Sequence, residues 1–110
     1  MIMSLLEFKL KPGKEEALKE VFIKHQILET AIQVEGCWKL AMVAPQNPDS
    51  TVKIIGFWED NIAYQRWMDH PDRGMATDDL AALVAGDWAS AAPAELLDVA
   101  LAVPGPQAWI

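Results

Sequence analysis

The apolar residues of this chain change period along its length, from two to about 3.6 and back, and that order limits the folds open to it more than any other feature. From Ile2 to Lys11 they alternate, with Leu6, Phe8 and Leu10 on one side and Leu5, Glu7 and Lys9 on the other, as a half-buried strand requires. Pro12-Gly13 ends that strand. From Lys14 to Gln33 the residues Leu18, Val21, Phe22, Leu28 and Ile32 recur at helical spacing, which predicts one long first helix. Gly36 stops it, and Cys37 to Ala44 reads as a strand with Trp38, Leu40 and Met42 on one face. The turn formers from Pro45 to Ser50 return the chain as a Val- and Ile-rich strand, Thr51 to Glu59, so these two strands form a hairpin.

Asp60 is a natural N-cap for a short helix through Ala63, Tyr64, Trp67 and Met68, which Pro71 ends near His70. A second helix is predicted to start at Thr77 as its cap, with Asp78 and Asp79 at its positive end and Leu80, Leu83, Val84 and Trp88 as its buried stripe. Pro93 closes the helical region. Glu95 to Val103 reads as the last strand, and a tail from Pro104 ends on Trp109-Ile110. The order β-α-β-β-α-β predicts an α+β, ferredoxin-like domain over residues 1–103, with an antiparallel sheet covered by helices on one face and a C-terminal tail over 104–110.

The other sheet face needs a cover as well. Leu5, Ala41, Val43, Ile55 and Phe57 fall on it by parity, and exposing them would leave a larger apolar patch than monomers usually carry. A homodimer packed through this face is therefore expected. Ile23 and Ile27 lie opposite the first helix's core stripe and add to the apolar exterior. Parity alone assigns these faces, and a single bulge inverts part of a strand.

With 16 acidic against 9 basic residues and a net charge of -7, the electrostatics have the wrong sign for nucleic acid. No apolar run approaches the roughly 20 residues that span a bilayer, so a soluble protein with no membrane partner is expected. The start, Met1 to Glu7, lacks a basic segment and an apolar signal core, which reads as cytoplasmic. Cys37 is the only cysteine, which excludes an intrachain disulfide or a thiolate metal cluster within one chain and favours a small buried side chain over a reactive thiol.

Two histidines and five tryptophans are the residues able to carry chemistry or bind a ring. His25 falls within the apolar stripe of the long helix and is expected to face the sheet. There it is either a core histidine satisfied by a neighbour or a neutral base in an apolar pocket. His70 ends a helix, where the dipole favours a cationic ring, and nothing in its spacing pairs it with another acid or base. Trp38, Trp58, Trp67 and Trp88 fall on segments facing the space between helices and sheet, where they serve as core filler or as walls for a planar ligand. Glu15-Glu16 and Asp78-Asp79 sit in first helical turns, where the dipole accounts for them. No nucleotide loop, nucleophile elbow, zinc site or calcium loop is present, and His25, His70 and Cys37 lack metal-ligand spacing.

The run Lys53-Ile54-Ile55-Gly56-Phe57-Trp58-Glu59-Asp60, followed by Ala63, Trp67 and His70-Pro71, resembles the antibiotic biosynthesis monooxygenase family. Glu35-Gly36-Cys37 resembles that family's helix-to-strand junction, and the order of elements agrees over about residues 1 to 103. The resemblance implies a homodimeric α/β barrel with a pocket between sheet and helices. It also implies a monooxygenase acting on a small aromatic, quinol or polyketide-like substrate, with no cofactor. His25 is then the candidate catalytic base, and Trp58, Trp67, Tyr64, His70, Trp38 and Trp88 the candidate substrate contacts. A related branch degrades haem with an asparagine on the first strand, a tryptophan after the hairpin and a histidine further on. Here only Trp67 matches, since the other positions fall near Leu6 or Glu7 and near Thr77. A non-catalytic or stress-associated dimer that binds a hydrophobic ligand, or a haem-binding protein, are the competing readings.

Overall fold

The computed structural model describes residues 1–47, 51–88 and 93–104. Four strands form one antiparallel sheet in the order β2-β3-β1-β4, with β1 at Ile2–Phe8, β2 at Cys37–Val43, β3 at Val52–Trp58 and β4 at Glu95–Asp98. The helices are α1 (Glu15–Lys24), α2 (Ile27–Ala31), α3 (Asn61–Met68) and α4 (Thr77–Ala81). This is the α+β, ferredoxin-like layout expected from the periodicity, with the sheet open rather than closed into a barrel. Pro48, Asp49 and Ser50 of the hairpin turn, and the Trp109-Ile110 end of the tail, lie outside the described residues.

Register sorts the strand residues into two faces. Ile2↔Trp58, Ser4↔Gly56, Leu6↔Ile54 and Phe8↔Val52 pair across β1 and β3 on the helix side. Met3↔Phe57, Leu5↔Ile55 and Ala41↔Ile55 pair on the other side. Under the helices the core divides in two. Phe8, Leu18, Phe22, Val52, Leu80 and Val84 are buried beneath α1, α2 and α4, while Ile2, Trp58 and Ala63 are buried beneath α3. Leu18 is wholly buried, so its truncation to Ala costs about 2 to 5 kcal/mol.

Four local features differ from the periodic reading. The long first helix is broken: the Gln26 N–H bonds back to Ile23 O, and Gln26 itself is left-handed at φ 51 and ψ 45. The kink turns Ile27 inward, so it packs with Leu28 on the core rather than joining Ile23 outside. A bulge between Cys37 and Lys39 shifts β2, so Leu40 and Met42 face the core while Trp38 is 53% exposed.

The fourth helix is short because the chain after it joins the sheet edge. Ala85 N–H donates to Lys9 O at 2.7 Å and Lys11 N–H to Leu83 O at 2.9 Å, around the bridge Leu10↔Val84. Its N-cap is Ala76 rather than Thr77, whose hydroxyl turns back to Gly74 O at 2.8 Å. The last strand stops at Asp98 instead of reaching Val103, and Leu101 and Val103 stand exposed.

Candidate functional site

At one end of the sheet α3 builds an aromatic cluster. Asp60 caps the helix as expected, its Oδ1 accepting the Ala63 N–H at 2.9 Å. Gly36 has φ +88, and a Cβ there would meet Ala63 Cβ at 2.6 Å, so only glycine lets the helix sit this close to the turn. Arg66 Nη1 donates to Glu35 O at 2.9 Å and ties the same turn to the helix. So seated, Tyr64 meets Trp58 edge-on at 5.4 Å and 87°, while Trp67 and His70 lie 5.5 Å apart at 42°.

Two rings of this cluster hold hydrogen bonds. Trp58, 1% exposed, donates its indole N–H to Ser4 Oγ at 2.9 Å, which makes it a core residue. The Asp72 N–H donates to His70 Nδ1 at 3.1 Å, so the neutral His70 ring carries its hydrogen on Nε2 and presents a donor there. Burial pushes the Tyr64 phenol up, against the opposing charge of Arg73. Burial pushes the half-buried Cys37 thiol up to about 11.

The other candidate rings lie elsewhere. Trp88 stacks on Phe8 at 6.5 Å and 29°, and Phe8 meets Phe22 edge-on at 5.9 Å, all in the larger core. Trp38 stands outside on its bulge. Among the described residues, Trp38, Trp58, Trp67 and Trp88 are thus divided between two core clusters and the exterior rather than forming one wall.

His25 is not in a mid-helix stripe facing the sheet, because α1 ends at it. From that C-terminal position its Nε2 reaches Asp79 Oδ2 in the first turn of α4 at 2.7 Å, 54 residues further along the chain. Lys24 Nζ lies 3.5 Å from the same oxygen. The His25 hydrogen bond and then the Lys24 charge hold the Asp79 carboxyl below its usual range. Asp79 is the partner that periodicity missed, since no local spacing signal links residues so far apart in sequence.

Two depressions flank α1. One, about 470 Å³, opens between α1 and α4 over Val21, Ala82 and Leu83, with Glu20, Lys24 and Asp79 at its edge. The other, about 420 Å³, lies between α1, α2 and the β2–β3 hairpin over Phe22, Leu28, Met42 and Val52, with Glu15, Glu16, Lys19 and Glu29 around it. Among the described residues no group of three or more His, Cys, Asp and Glu side chains could hold a metal ion. At the positions the haem-degrading branch uses, Leu6 packs on the core and the Thr77 hydroxyl donates to Gly74 O. No described helix is long and apolar enough to cross a membrane.

An open antiparallel ferredoxin-like sheet, with helices on one face and an aromatic helix following its hairpin, defines a small α+β domain with its ligand-sized spaces along the helical layer. The chain belongs to the antibiotic biosynthesis monooxygenase family, whose model matches residues 1–76. No curated protein sequence matches it. Among solved structures it is similar to SnoaB, a cofactor-independent oxygenase from Streptomyces nogalater, with TM-score 0.71 and 16% identity over 94% of this chain and 97% of that one. It is also similar to a haem-degrading protein of Mycobacterium tuberculosis, with TM-score 0.64 and 17% identity over 93% and 96% of the two chains. A conserved protein of Methanosarcina mazei Go1 aligns with TM-score 0.67 and 13% identity over 86% of each chain. At these identities the likeness is one of fold.

Proposed function

We propose that the chain is a cofactor-independent monooxygenase acting on a small electron-rich aromatic, quinol or polyketide-like substrate, with His25 as the base. The observation that carries this reading is the His25–Asp79 pair at 2.7 Å, whose Asp79 lines the depression over Val21, Ala82 and Leu83. An ionised carboxylate only accepts, so the neutral imidazole donates Nε2–H to Asp79 and its Nδ1 is the atom that takes a proton. Lys24 places a positive charge at the same edge, where an oxyanion gains from it.

Chemistry of this kind needs no external reductant. For a methylene flanked by rings, His25 takes one proton and the carbanion passes one electron to dioxygen. The radical pair joins through a carbon–oxygen bond, and the peroxide anion recovers the proton from His25. Loss of water, with the second C–H hydrogen leaving as a proton and the O–O bond breaking, gives the carbonyl. One oxygen atom enters the product and the other leaves as water, with all four electrons drawn from the substrate. SnoaB, described as cofactor-independent, lends this reading support through its fold.

Oxygen uptake by the purified protein with hydroquinones, naphthols and anthrones tests the proposal, with His25→Ala as control. Uptake that depends on His25 is expected; uptake no faster than the uncatalysed rate with every substrate would sink it. The groove over Phe22, Leu28, Met42 and Val52 favours a second reading, a dimer that binds a hydrophobic ligand without reaction. Saturable binding of an apolar fluorophore that Leu28→Glu abolishes, in a protein without uptake, is its signature.

The outer sheet face is proposed to pack on a second copy of the chain. Leu5, Ala41, Ile55 and Phe57 are joined there by Met3 and Leu97, which are paired with each other in the register. A monomer mass from light scattering at micromolar concentration would rule this packing out.

A further inference from the structure

We propose that Asp79 is a positioning residue for His25, selecting the imidazole tautomer whose Nδ1 faces the reaction as a base. This rests on the reading of His25 as the base. The placement comes from a break in the chain rather than from a helix face. α1 ends at His25, the left-handed Gln26 turns the backbone away, and the freed ring spans to the first turn of α4. At 2.7 Å the contact is at the short end for a charge-assisted bond from nitrogen to a carboxylate.

Asp79 can impose a tautomer because it accepts and does not donate when ionised, so it binds Nε2 only when that nitrogen carries hydrogen. Lys24, one residue before His25, stands 3.5 Å from the same carboxylate oxygen and keeps it anionic. Position also favours the charged product of proton transfer, since an imidazolium at the C-terminal end of α1 meets the negative end of that helix. The side chains remain partly open to solvent, His25 at 23% and Asp79 at 42%, which leaves a route for substrate and proton.

Long-range nitrogen–proton NMR of the neutral His25 ring reads the tautomer without any substrate. The wild-type protein is expected to hold the Nε2–H form, Asp79→Asn to show a mixture because an amide can turn either its oxygen or its NH₂ to the ring, and Asp79→Glu to restore the single form. A wild-type ring with hydrogen on Nδ1, or an Asn variant with an unchanged tautomer, would overturn the proposal. In oxygen uptake, Asp79→Asn is expected to lower kcat about tenfold or more with KM little changed, and Asp79→Glu to recover part of it. If His25→Ala leaves uptake intact, the base assignment fails on its own account; the tautomer measurement still decides whether Asp79 orients the ring.

Discussion

The Trp58 indole crosses directly over Gly56 to donate its N–H to Ser4 Oγ at 2.9 Å, binding β3 to β1 inside the core. A Cβ on Gly56 would stand 2.7 Å from Trp58 Nε1, 2.8 Å from Ser4 Oγ and 3.0 Å from Leu40 Cδ2. Gly56→Ala is therefore expected to lower stability by about 1 to 3 kcal/mol through overpacking. Ser4→Ala is expected to cost a similar amount, about 1 to 3 kcal/mol, by leaving a buried N–H without an acceptor. Urea midpoints at constant slope check both.

Gln26 and Gly36 occupy positive φ with opposite consequences for substitution. Gln26→Gly relieves a side chain held at φ 51, and after the added freedom of the unfolded glycine a gain of a few tenths to about 1 kcal/mol is expected. Gly36→Ala adds strain at φ +88 and a 2.6 Å approach to Ala63 Cβ, and should destabilise by about 2 kcal/mol or more. Thermal midpoints moving in the same direction would contradict this.

The depressed Asp79 carboxyl makes stability depend on pH with a definite sign. Its folded value lies below the unfolded value of about 3.9, so the anion's contribution is present in full above that value and fades as pH falls through the folded one. Asp79→Asn is expected to be less stable than wild type at neutral pH, with the gap closing in acid. Melting temperatures of both proteins from about pH 4 downward, where Asp79 itself titrates, measure it, and a gap that does not close there would reverse the assignment.

Cys37, its thiol pushed up to about 11 by burial, is expected to react slowly with a disulfide reagent at pH 8. In urea above the unfolding midpoint the rate should rise to that of a free thiol. Equal rates in both conditions would mean that the side chain is not shielded.

Where local chemistry and periodicity suffice, structure was legible in the sequence. The alternation in β1 places Phe8 and Leu6 inward, Asp60 caps α3, and the outer-face set of Leu5, Ala41, Val43, Ile55 and Phe57 falls on one side of the sheet. Parity failed at Trp38 because a bulge adds one residue, a change no residue type announces there. Helical spacing failed at His25 because neither Gly nor Pro marks the break, and Gln26 takes a conformation usually left to glycine. The His25–Asp79 contact was illegible for another reason: each residue had a sufficient local explanation, one as core and one as helix-dipole partner. Only the packing of α1 beside α4 brings them together.

The place of β1 within the sheet has a consequence for synthesis. β1 pairs with β3 along one edge and with β4 along the other, so Ile2 meets both Trp58 and Asp98. As the chain emerges from a ribosome, β1 can close its first edge once the hairpin is out, but its second stays open until Glu95–Asp98 has been made. A nascent or truncated chain ending before Glu95 thus exposes an apolar strand edge beside the uncovered outer face, a ready template for misassembly, and β4 is what closes it.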